Sequence, residues 1–453
     1  MVFNSLIFIF CFLPVSVLLY RFLPSQLLKN VVLFVLSLLF YAWNEPYYVL
    51  LLLLSIAWNY ISGLQLMQEE DERQRKINFW LSVAVNLLIL GAFKYTNFLL
   101  GIIGLEGFDI TLPVGLSFFT FSALSYLADV YKGTSPAQKN PLYLGLYIAF
   151  FGKITSGPIA FYHDMEHQFS YHPFQKEMFY SGILLFVKGL IKKALLADQF
   201  ALVFSSLSQN TSMLGAWLYA LSYMLEIYFD FSGYSDMAIG ISRMFGFDLK
   251  PNFDHPYVAV SVQDFWRRWH ISLSRWFRDY VYIPLGGNRH DYVRNILIVW
   301  FLTGLWHGAN WTFILWGLYY GAFLLLEKFV LRPILEKLPR IVGHLYTWVV
   351  VLIGWVFFCS PSIMDAFGTI GRMFHFAELV NTEALFVLTG HLVLFIIGIL
   401  LSGTLFDRIE ERLMQVKGNR MVLAFTVLYL VFFGISIAFV VGSTYQSFLY
   451  FAF

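Results

Sequence analysis

Charged residues are scarce in this chain. Only 13% of its 453 residues are Asp, Glu, Lys or Arg, whereas 59% are hydrophobic, and the mean hydropathy is +0.67. A charge content this low excludes an ordinary soluble protein of this size and is typical of a polytopic integral membrane protein. The net charge of +2 is too small to indicate a nucleic-acid partner.

Cysteine is also nearly absent. Cys11 and Cys359 both lie in apolar runs, so neither a disulfide framework nor a cysteine metal site is predicted. The chain lacks a G-x-x-x-x-G-K-[ST] phosphate loop, which argues against nucleotide hydrolysis. Its first twenty residues lack the basic start and the cleavage site of a signal peptide, so we expect a retained first span.

Apolar segments of about 20 residues, the length that crosses a bilayer, are abundant instead. They predict an all-α, polytopic membrane protein, because only helices and closed barrels satisfy their backbone polar groups in lipid and no alternating strand pattern occurs. We expect about 11–13 transmembrane or re-entrant helices in a single membrane domain, 1–453. The segments are 3–20, 27–43, 47–67, 77–93, 113–131, 142–160, 178–196, 213–231, 296–305 with 311–326, 345–358, 384–401 and 421–441.

Three clusters of Lys and Arg predict the orientation of the chain. They lie at 73–76, 188–193 and 243–294, and all three are expected in the cytoplasm, with the N-terminus outside. If every segment crossed fully, the third cluster would fall on the wrong side. One segment is therefore predicted to be re-entrant, either 142–160 or 296–305.

The core stretch of the sequence is 263–316. Its tryptophans and arginines recur at three- and four-residue steps, which predicts an amphipathic helix over 266–280 at the membrane surface, with His270 on the apolar face. We expect the tryptophans at the lipid interface and the arginines against lipid phosphates or a phosphorylated donor. The turn at Gly286 and Gly287 requires positive φ or a close backbone approach.

His307 follows about a dozen apolar residues. At 1.5 Å per helical residue it lies about 18 Å deep, near the middle of a ~30 Å hydrocarbon core. An ionisable group at that depth indicates a functional site. Three interpretations remain open: a general base that deprotonates a hydroxyl group, a structural histidine bonded for instance to Asn310, and a proton relay in a transporter.

Two further polar groups are interpreted as structural. The sequence HDMEH, from His163 to His167, has the spacing of a zinc peptidase motif, but after Gly157 and Pro158 we expect a solvated loop and no metal. The acidic residues within 226–236 are expected to pair with lysines such as Lys193.

A family resemblance rests on two long segments. FWRRWHISLSRWFRDYVYIPLGGNR at 265–289 and GLWHGANWTFILWG at 304–317 closely resemble the signature of the membrane-bound O-acyltransferase family, in its alginate O-acetylase branch. The likeness implies a ring of tilted helices around a central tunnel. It extends over most of the chain, through 1–20, LPVGLSFFTFSALSYLADVY at 112–131, SGPI at 156–159, DFSGYSDMAIG at 230–240 and the aromatic C-terminus.

The resemblance also implies roles for individual residues. By motif position, His307 corresponds to the family's catalytic histidine and His270 to its second histidine. We expect His307 to act as general base or acyl-positioning group, and His270 to orient donor or acceptor across the tunnel. The residues expected to bind substrate are Trp266, Arg267, Arg268, Trp306 and Asn310.

The function implied is that of an O-acetyltransferase in a bacterial cytoplasmic membrane, without a bound cofactor. Acetyl-CoA is the expected donor, and a separate extracytoplasmic protein is expected to complete transfer to a polysaccharide. The turn at 282–289 favours acetyl over the D-alanyl group of related enzymes. Alginate, another exopolysaccharide, cellulose and peptidoglycan-linked glycans remain open as acceptors. The alternative class is a proton-coupled glycan transporter or flippase, which needs paired repeats that the sequence does not show.

Overall fold

The computed structural model describes residues 1–415, 419–442 and 448–449. Within these residues every regular element is a helix and no strand occurs, which confirms the all-α prediction. Residues 443–447 and 450–453, from the aromatic C-terminus that contributes to the family resemblance, lie outside the described residues.

The chain divides into two compact units, of which the first comprises residues 1–186 and 234–251. Aromatic rings pack together in this unit; Phe3, which precedes the first helix, stacks on Tyr234 with centroids 4.8 Å apart. The helices are α1 (Leu13–Phe22, continuing a π-helical turn at Phe8–Phe12), α2 (Gln26–Ala42), α3 (Tyr48–Gln68), α4 (Glu72–Lys94), α5 (Thr96–Ile102), α6 (Leu116–Lys132), α7 (Pro141–Ala149) and α8 (Tyr162–Ser170). Helix α9 (Lys176–Ile191) begins in this unit and ends in the second.

The second unit comprises residues 187–233 and 252–453, and so contains the whole core stretch 263–316. That a single membrane domain spans 1–453 stays a prediction. The helices are α10 (Asp198–Ser206), most of α11 (Met213–Met244), α12 (Val262–Arg268), α13 (Ile271–Phe277), α14 (Tyr292–His307), α15 (Trp311–Leu326), α16 (Arg332–Leu335), α17 (Arg340–Cys359), α18 (Ile363–Met373), α19 (Thr382–Ser402), α20 (Leu405–Gln415) and α21 (Asn419–Gly442).

Six helices among the described residues are long and apolar enough to cross a membrane. They have 20 to 25 residues: α3, α4, Trp311–Leu335 (α15 with its continuation), α17, α19 and Leu423–Gly442 within α21. Phe8–Phe22 and Gln26–Ala42 are apolar but shorter. The chain is therefore a multi-pass membrane protein. The sequence count of about 11–13 is larger because it includes short and interrupted segments.

One interruption falls where the sequence predicts a re-entrant segment. Helix α7 ends at Ala149, and residues 150–161 continue without regular helix although they are all buried. Protein groups satisfy this backbone: the N–H of Phe151, for example, donates to Oγ of Ser37 at 3.1 Å. Irregular backbone at membrane depth requires such internal partners. The other candidate, 296–305, lies within the regular helix α14.

Helices α14 and α15 form the close-packed hairpin that carries His307. A Cβ atom added to Gly304 would overlap the carbonyl oxygen of Phe313, and one added to Gly317 would overlap that of Trp300. The two glycines therefore allow the backbones to approach more closely than larger residues permit. The approach places the end of α14, where His307 lies, directly beside the start of α15.

Candidate active site

The segment predicted as one amphipathic helix, 266–280, is broken in the middle. Helix α12 ends at Arg268, α13 begins at Ile271, and His270 between them has a left-handed backbone with φ of +45°. The break has a local cause, because the N–H of Ile271 donates to the backbone carbonyl of Asn252 at 2.9 Å instead of to a helical acceptor. The prediction of a continuous helix is wrong, and the elbow between α12 and α13 brings His270 inward.

The tryptophans of this elbow are buried in protein and do not face the lipid interface as predicted. Trp269 is 1% exposed and packs on Trp355 with ring centroids 4.8 Å apart. Trp266 lies among Trp300, Trp316 and Tyr320, at centroid distances of 4.7, 5.5 and 4.8 Å. The spacing of these tryptophans therefore reflects their packing in a buried aromatic core.

The arginines of the elbow differ in their surroundings. Nε of Arg268 lies 2.9 Å from Oδ1 of Asp264, and its NH1 lies 3.1 Å from Oδ2 of Asp254. Arg278 is paired in the same way with Asp279, at 2.7 Å. The neighbouring Arg267 is exposed. Arg267 and Arg268 are the two arginines expected to bind substrate, and of these Arg268 is already paired with carboxylates.

His270 is almost completely enclosed, at 1% exposure. Its Nδ1 lies 3.2 Å from Oδ1 of Asn252, and its ring packs edge-on against Phe231 and near Trp306, with centroids 4.7 and 6.0 Å away. Burial lowers the pKa of His270 to about 3. The imidazole is therefore neutral at physiological pH, and one of its nitrogens carries a lone pair.

His307 is the last residue of α14 and is 3% exposed. Its ring lies among Trp306, Trp316 and Phe358, with centroids 4.9, 4.9 and 5.2 Å away and interplanar angles of 72–84°. The packing holds the imidazole in one orientation. Asn310 caps α15 by accepting from the N–H of Thr312 and donates to the carbonyl of Pro361, so its amide is used in the turn and in holding the segment before α18.

Both histidines line one cavity of about 280 Å³. Trp266 and Arg267 are also on its wall. Trp306 is not, although its ring lies near both histidine rings, and Arg268 and Asn310 do not line the cavity either. The structure therefore brings His270, His307, Trp266 and Arg267 together around one space, although the two histidines are 37 positions apart in the sequence.

A larger cavity of about 600 Å³ adjoins the first. The two share five lining residues, Gln263, Arg267, Asn288, Tyr292 and Leu324. Cationic side chains dominate the wall of the larger cavity, which carries Arg267, Lys328, Arg332 and Arg340 against Glu327 and Glu336. A largely cationic wall, suited to an anionic group, thus adjoins the space beside the two histidines.

The Gly-Gly turn supplies part of the cavity wall. Gly286 and Gly287 have φ of +108° and +56°, as the sequence predicts for this turn. The hydroxyl of Tyr282 donates to Oδ1 of Asn288 at 2.7 Å, and both side chains line the smaller cavity. Sequence reasoning did not single out Asn288, Thr303 or Asn252 as parts of the site; only the turn next to Asn288 gave a signal.

The two groups interpreted as structural also have clear positions. HDMEH lies in helix α8, so the predicted loop is wrong; His163 Nδ1 lies 2.9 Å from Oδ2 of Asp129. In the part of the chain that the structure describes, no group of three His, Cys, Asp or Glu side chains could hold a metal ion. In the acidic run, Asp230 pairs with Lys193 at 2.6 Å, as expected.

Known proteins resemble this chain over about half to four-fifths of its length. The model of the membrane-bound O-acyltransferase family, MBOAT, matches residues 31–364. The "probable alginate O-acetylase AlgI" of Pseudomonas syringae pv. tomato is 41% identical over 395 residues, which cover 83% of this chain and 76% of that protein. The peptidoglycan O-acetyltransferase of Helicobacter pylori is 36% identical over 412 residues, covering 81% and 78%. The teichoic acid D-alanyltransferase of Bacillus subtilis is 30% identical over 235 residues, covering 48% and 59%.

Proposed function

Because this chain belongs to the membrane-bound O-acyltransferase family, we propose that it transfers acetyl groups from a cytoplasmic acetyl thioester toward a polysaccharide outside the membrane. The family makes it a multi-pass membrane O-acyltransferase of bacterial type. We propose that the transferred group is acetyl and that its donor is acetyl-CoA. We also propose that the protein lies in the bacterial cytoplasmic membrane and that alginate is the first acceptor to test. Relatives named O-acetylase or O-acetyltransferase over about four-fifths of the chain support them.

The observation that carries the proposal is the single cavity lined by His270 and His307. An imidazole nitrogen with a lone pair can take the proton of a hydroxyl group as its oxygen attacks a thioester carbonyl. The new C–O bond forms, the C–S bond breaks, and the departing thiolate receives the proton from the imidazolium. We assign the proton transfer to His307 and the orientation of one reactant to His270.

The adjoining cavity suits the body of the donor. Coenzyme A carries phosphate groups, and arginine binds phosphate through charge-assisted, often bidentate, hydrogen bonds. Arg267 lies on the wall of both cavities, where it can bind a phosphorylated donor whose acyl end reaches the histidines. The acetylated product then passes to a separate extracytoplasmic protein, which completes the transfer of the acetyl group to the polymer.

D-alanyl transfer is the second candidate, because a D-alanyltransferase is among the relatives. A D-alanyl thioester carries an ammonium group beside its carbonyl. Among the described residues that line the smaller cavity, two carry a full charge, Arg267 and Arg278. No carboxylate lies among them. An ammonium group would be repelled by these two guanidinium groups, so the neutral acetyl group is favoured.

Replacing His307 with Ala tests the proposal. Loss of a general base reduces rates by about 10²–10⁴-fold, so polymer O-acetylation in cells should fall by at least about 100-fold at unchanged membrane abundance. His270→Ala should reduce it by a smaller factor. His391→Ala is the matched control, since His391 bonds to Val387 within its own helix α19. Full acetylation by His307→Ala contradicts the proposal.

A thioester assay separates the enzyme from a transporter. Purified protein is incubated with radiolabelled acetyl-CoA and, in parallel, with a D-alanyl thioester, in the presence of a soluble alginate oligosaccharide. Hydrolysis of acetyl-CoA or transfer of its acetyl group supports the proposal, and the same reactions of the D-alanyl thioester support the second candidate. A proton-coupled glycan transporter leaves both thioesters intact.

A further inference from the structure

Asn252 contacts the elbow from outside α12 and α13. It is 1% exposed and belongs to the segment that connects α11 to α12. Its side-chain Oδ1 accepts from the backbone N–H of Ser272 at 3.1 Å and from Oγ of Ser272 at 2.8 Å, and lies 3.2 Å from Nδ1 of His270. Its backbone carbonyl accepts from Ile271. One residue therefore holds both the backbone of the elbow and the ring of its histidine.

These contacts determine where the proton of His270 lies. A backbone N–H can only donate, so the Asn252 atom facing Ser272 must be the oxygen and not the amide nitrogen. That oxygen can only accept, so the ring nitrogen beside it must carry a hydrogen. A neutral imidazole has one N–H, and its other nitrogen carries the lone pair. We propose that Asn252 is a positioning residue that fixes His270 as the tautomer with its proton on Nδ1 and its lone pair on Nε2.

The role of this tautomer rests on the function proposed above. Under that function, the tautomer determines which of the two reactants His270 contacts. A lone pair on Nε2 accepts a hydrogen bond from a hydroxyl group and cannot donate one to a thioester carbonyl. The proton of the attacking hydroxyl group goes to His307, so His270 orients the acceptor by accepting a hydrogen bond from a second hydroxyl group of the same acceptor. The thioester carbonyl must take its hydrogen bonds from other groups of the cavity wall.

Replacement of Asn252 by aspartate separates this role from a merely structural one. The carboxylate introduced by Asn252→Asp would accept the same three hydrogen bonds, so the packing is preserved while a negative charge is placed beside the ring. An opposite charge favours imidazolium, which has no lone pair. Phe231 and Trp306 pack on the ring and are not titratable. The titratable or charged side chains that share its cavity are Arg267, Arg278, Tyr282, Tyr292 and His307.

The first experiment measures kcat/KM for acetyl-CoA against pH in purified full-length protein. Activity should fall at low pH as His270 becomes protonated, and in Asn252→Asp that fall should move to higher pH by one unit or more. Asn140→Asp is the control, because Oδ1 of Asn140 accepts the backbone N–H of Leu142 at 3.0 Å at the start of α7, a capping bond that aspartate also makes. It should leave the profile in place. An unshifted profile in a folded, active Asn252→Asp protein overturns the proposal.

The second experiment observes the tautomer itself. Solid-state NMR of ¹⁵N-histidine-labelled protein in lipid, with His270→Gln used to assign the signals by difference, should show a protonated Nδ1 and an unprotonated Nε2. A protonated Nε2 overturns the proposal, even when Asn252→Asp does not fold. This readout needs no acetyl transfer. Failure of the proposed function, seen as full acetylation by His307→Ala, is therefore distinguishable from failure of the Asn252 assignment.

Discussion

Three aromatic rings enclose the imidazole of His307. Trp306, Trp316 and Phe358 all approach its imidazole edge-on, and only 3% of the residue is exposed. Edge contacts of this kind fix the ring plane, since aromatic rings prefer tilted over face-to-face arrangements. A hydroxyl group that reaches the imidazole from the cavity therefore meets a preset orientation with little competition from water.

Two adjacent arginines allow a sharp test of donor binding. Arg267 lines both cavities, whereas Arg268 pairs with Asp254 and Asp264. A hydrogen bond to a charged group contributes about 1.5–3 kcal/mol, so Arg267→Ala should raise KM for acetyl-CoA by roughly 10- to 100-fold. Arg268→Ala should leave that KM within about threefold, because it removes an ion pair of the elbow and no cavity contact. Steady-state kinetics of both purified variants checks this, and equal increases in KM refute it.

The predictability of the site differs from residue to residue. His307 could be found because an ionisable group in an apolar run is costly, and His270 because of the motif around it. Asn252 could not, since it lies 18 positions before His270 in an irregular segment without periodicity. The exclusion of Arg268 from the cavity depends on Asp254, a tertiary contact that no spacing reveals.

The elbow between α12 and α13 shows how a periodic pattern can mislead at the scale of an element. Residues 266–280 keep a helical spacing of apolar side chains, and helices do occupy both halves. Each half has seven residues, too short to be stable alone, so packing decides the structure. External acceptors on Asn252 compete for the N–H groups at the junction and produce the break.

The α14–α15 hairpin should be sensitive to a single methyl group. Gly304→Ala would place Cβ against the Phe313 carbonyl, and such overpacking costs about 1–3 kcal/mol. Gly390→Ala in α19 is the matched control, because a Cβ there meets no atom within 4 Å. Alanine favours a helix over glycine by about 1 kcal/mol. The thermal unfolding midpoint in detergent should fall for Gly304→Ala and stay or rise for Gly390→Ala; two equal shifts would contradict the close approach.

At the scale of the whole molecule, composition alone predicted an all-helical membrane protein, and the reason is simple. Lipid offers no hydrogen-bond partners, so an apolar chain of this length has few alternatives to helices. The number of crossings was harder to predict. Segments such as 142–160 are apolar enough to span, yet α7 ends after nine residues because buried protein groups satisfy the backbone beyond Ala149.

The predicted orientation can be measured across one helix. Gln74 and Asp109 are both exposed; Gln74 lies in the first turn of the candidate span α4, and Asp109 lies beyond its other end. With the basic cluster 73–76 in the cytoplasm, Gln74→Cys should react with a membrane-impermeant maleimide only after the cells are opened. Asp109→Cys should react in intact cells. Both are made in a background with Cys11 and Cys359 replaced by Ser. The reverse labelling pattern would invert the proposed direction of transfer.

The tryptophan wall of the smaller cavity bears on the length of acyl chain that the site can take. The space beside the histidines holds about 280 Å³ and is walled by Trp266, Trp269 and Trp300, large rings that are themselves buried. An acyl chain longer than the space that these rings leave must displace a ring, which costs free energy in a close-packed wall. Under the proposed function, we therefore expect turnover to fall from acetyl-CoA to the thioesters of long fatty acids.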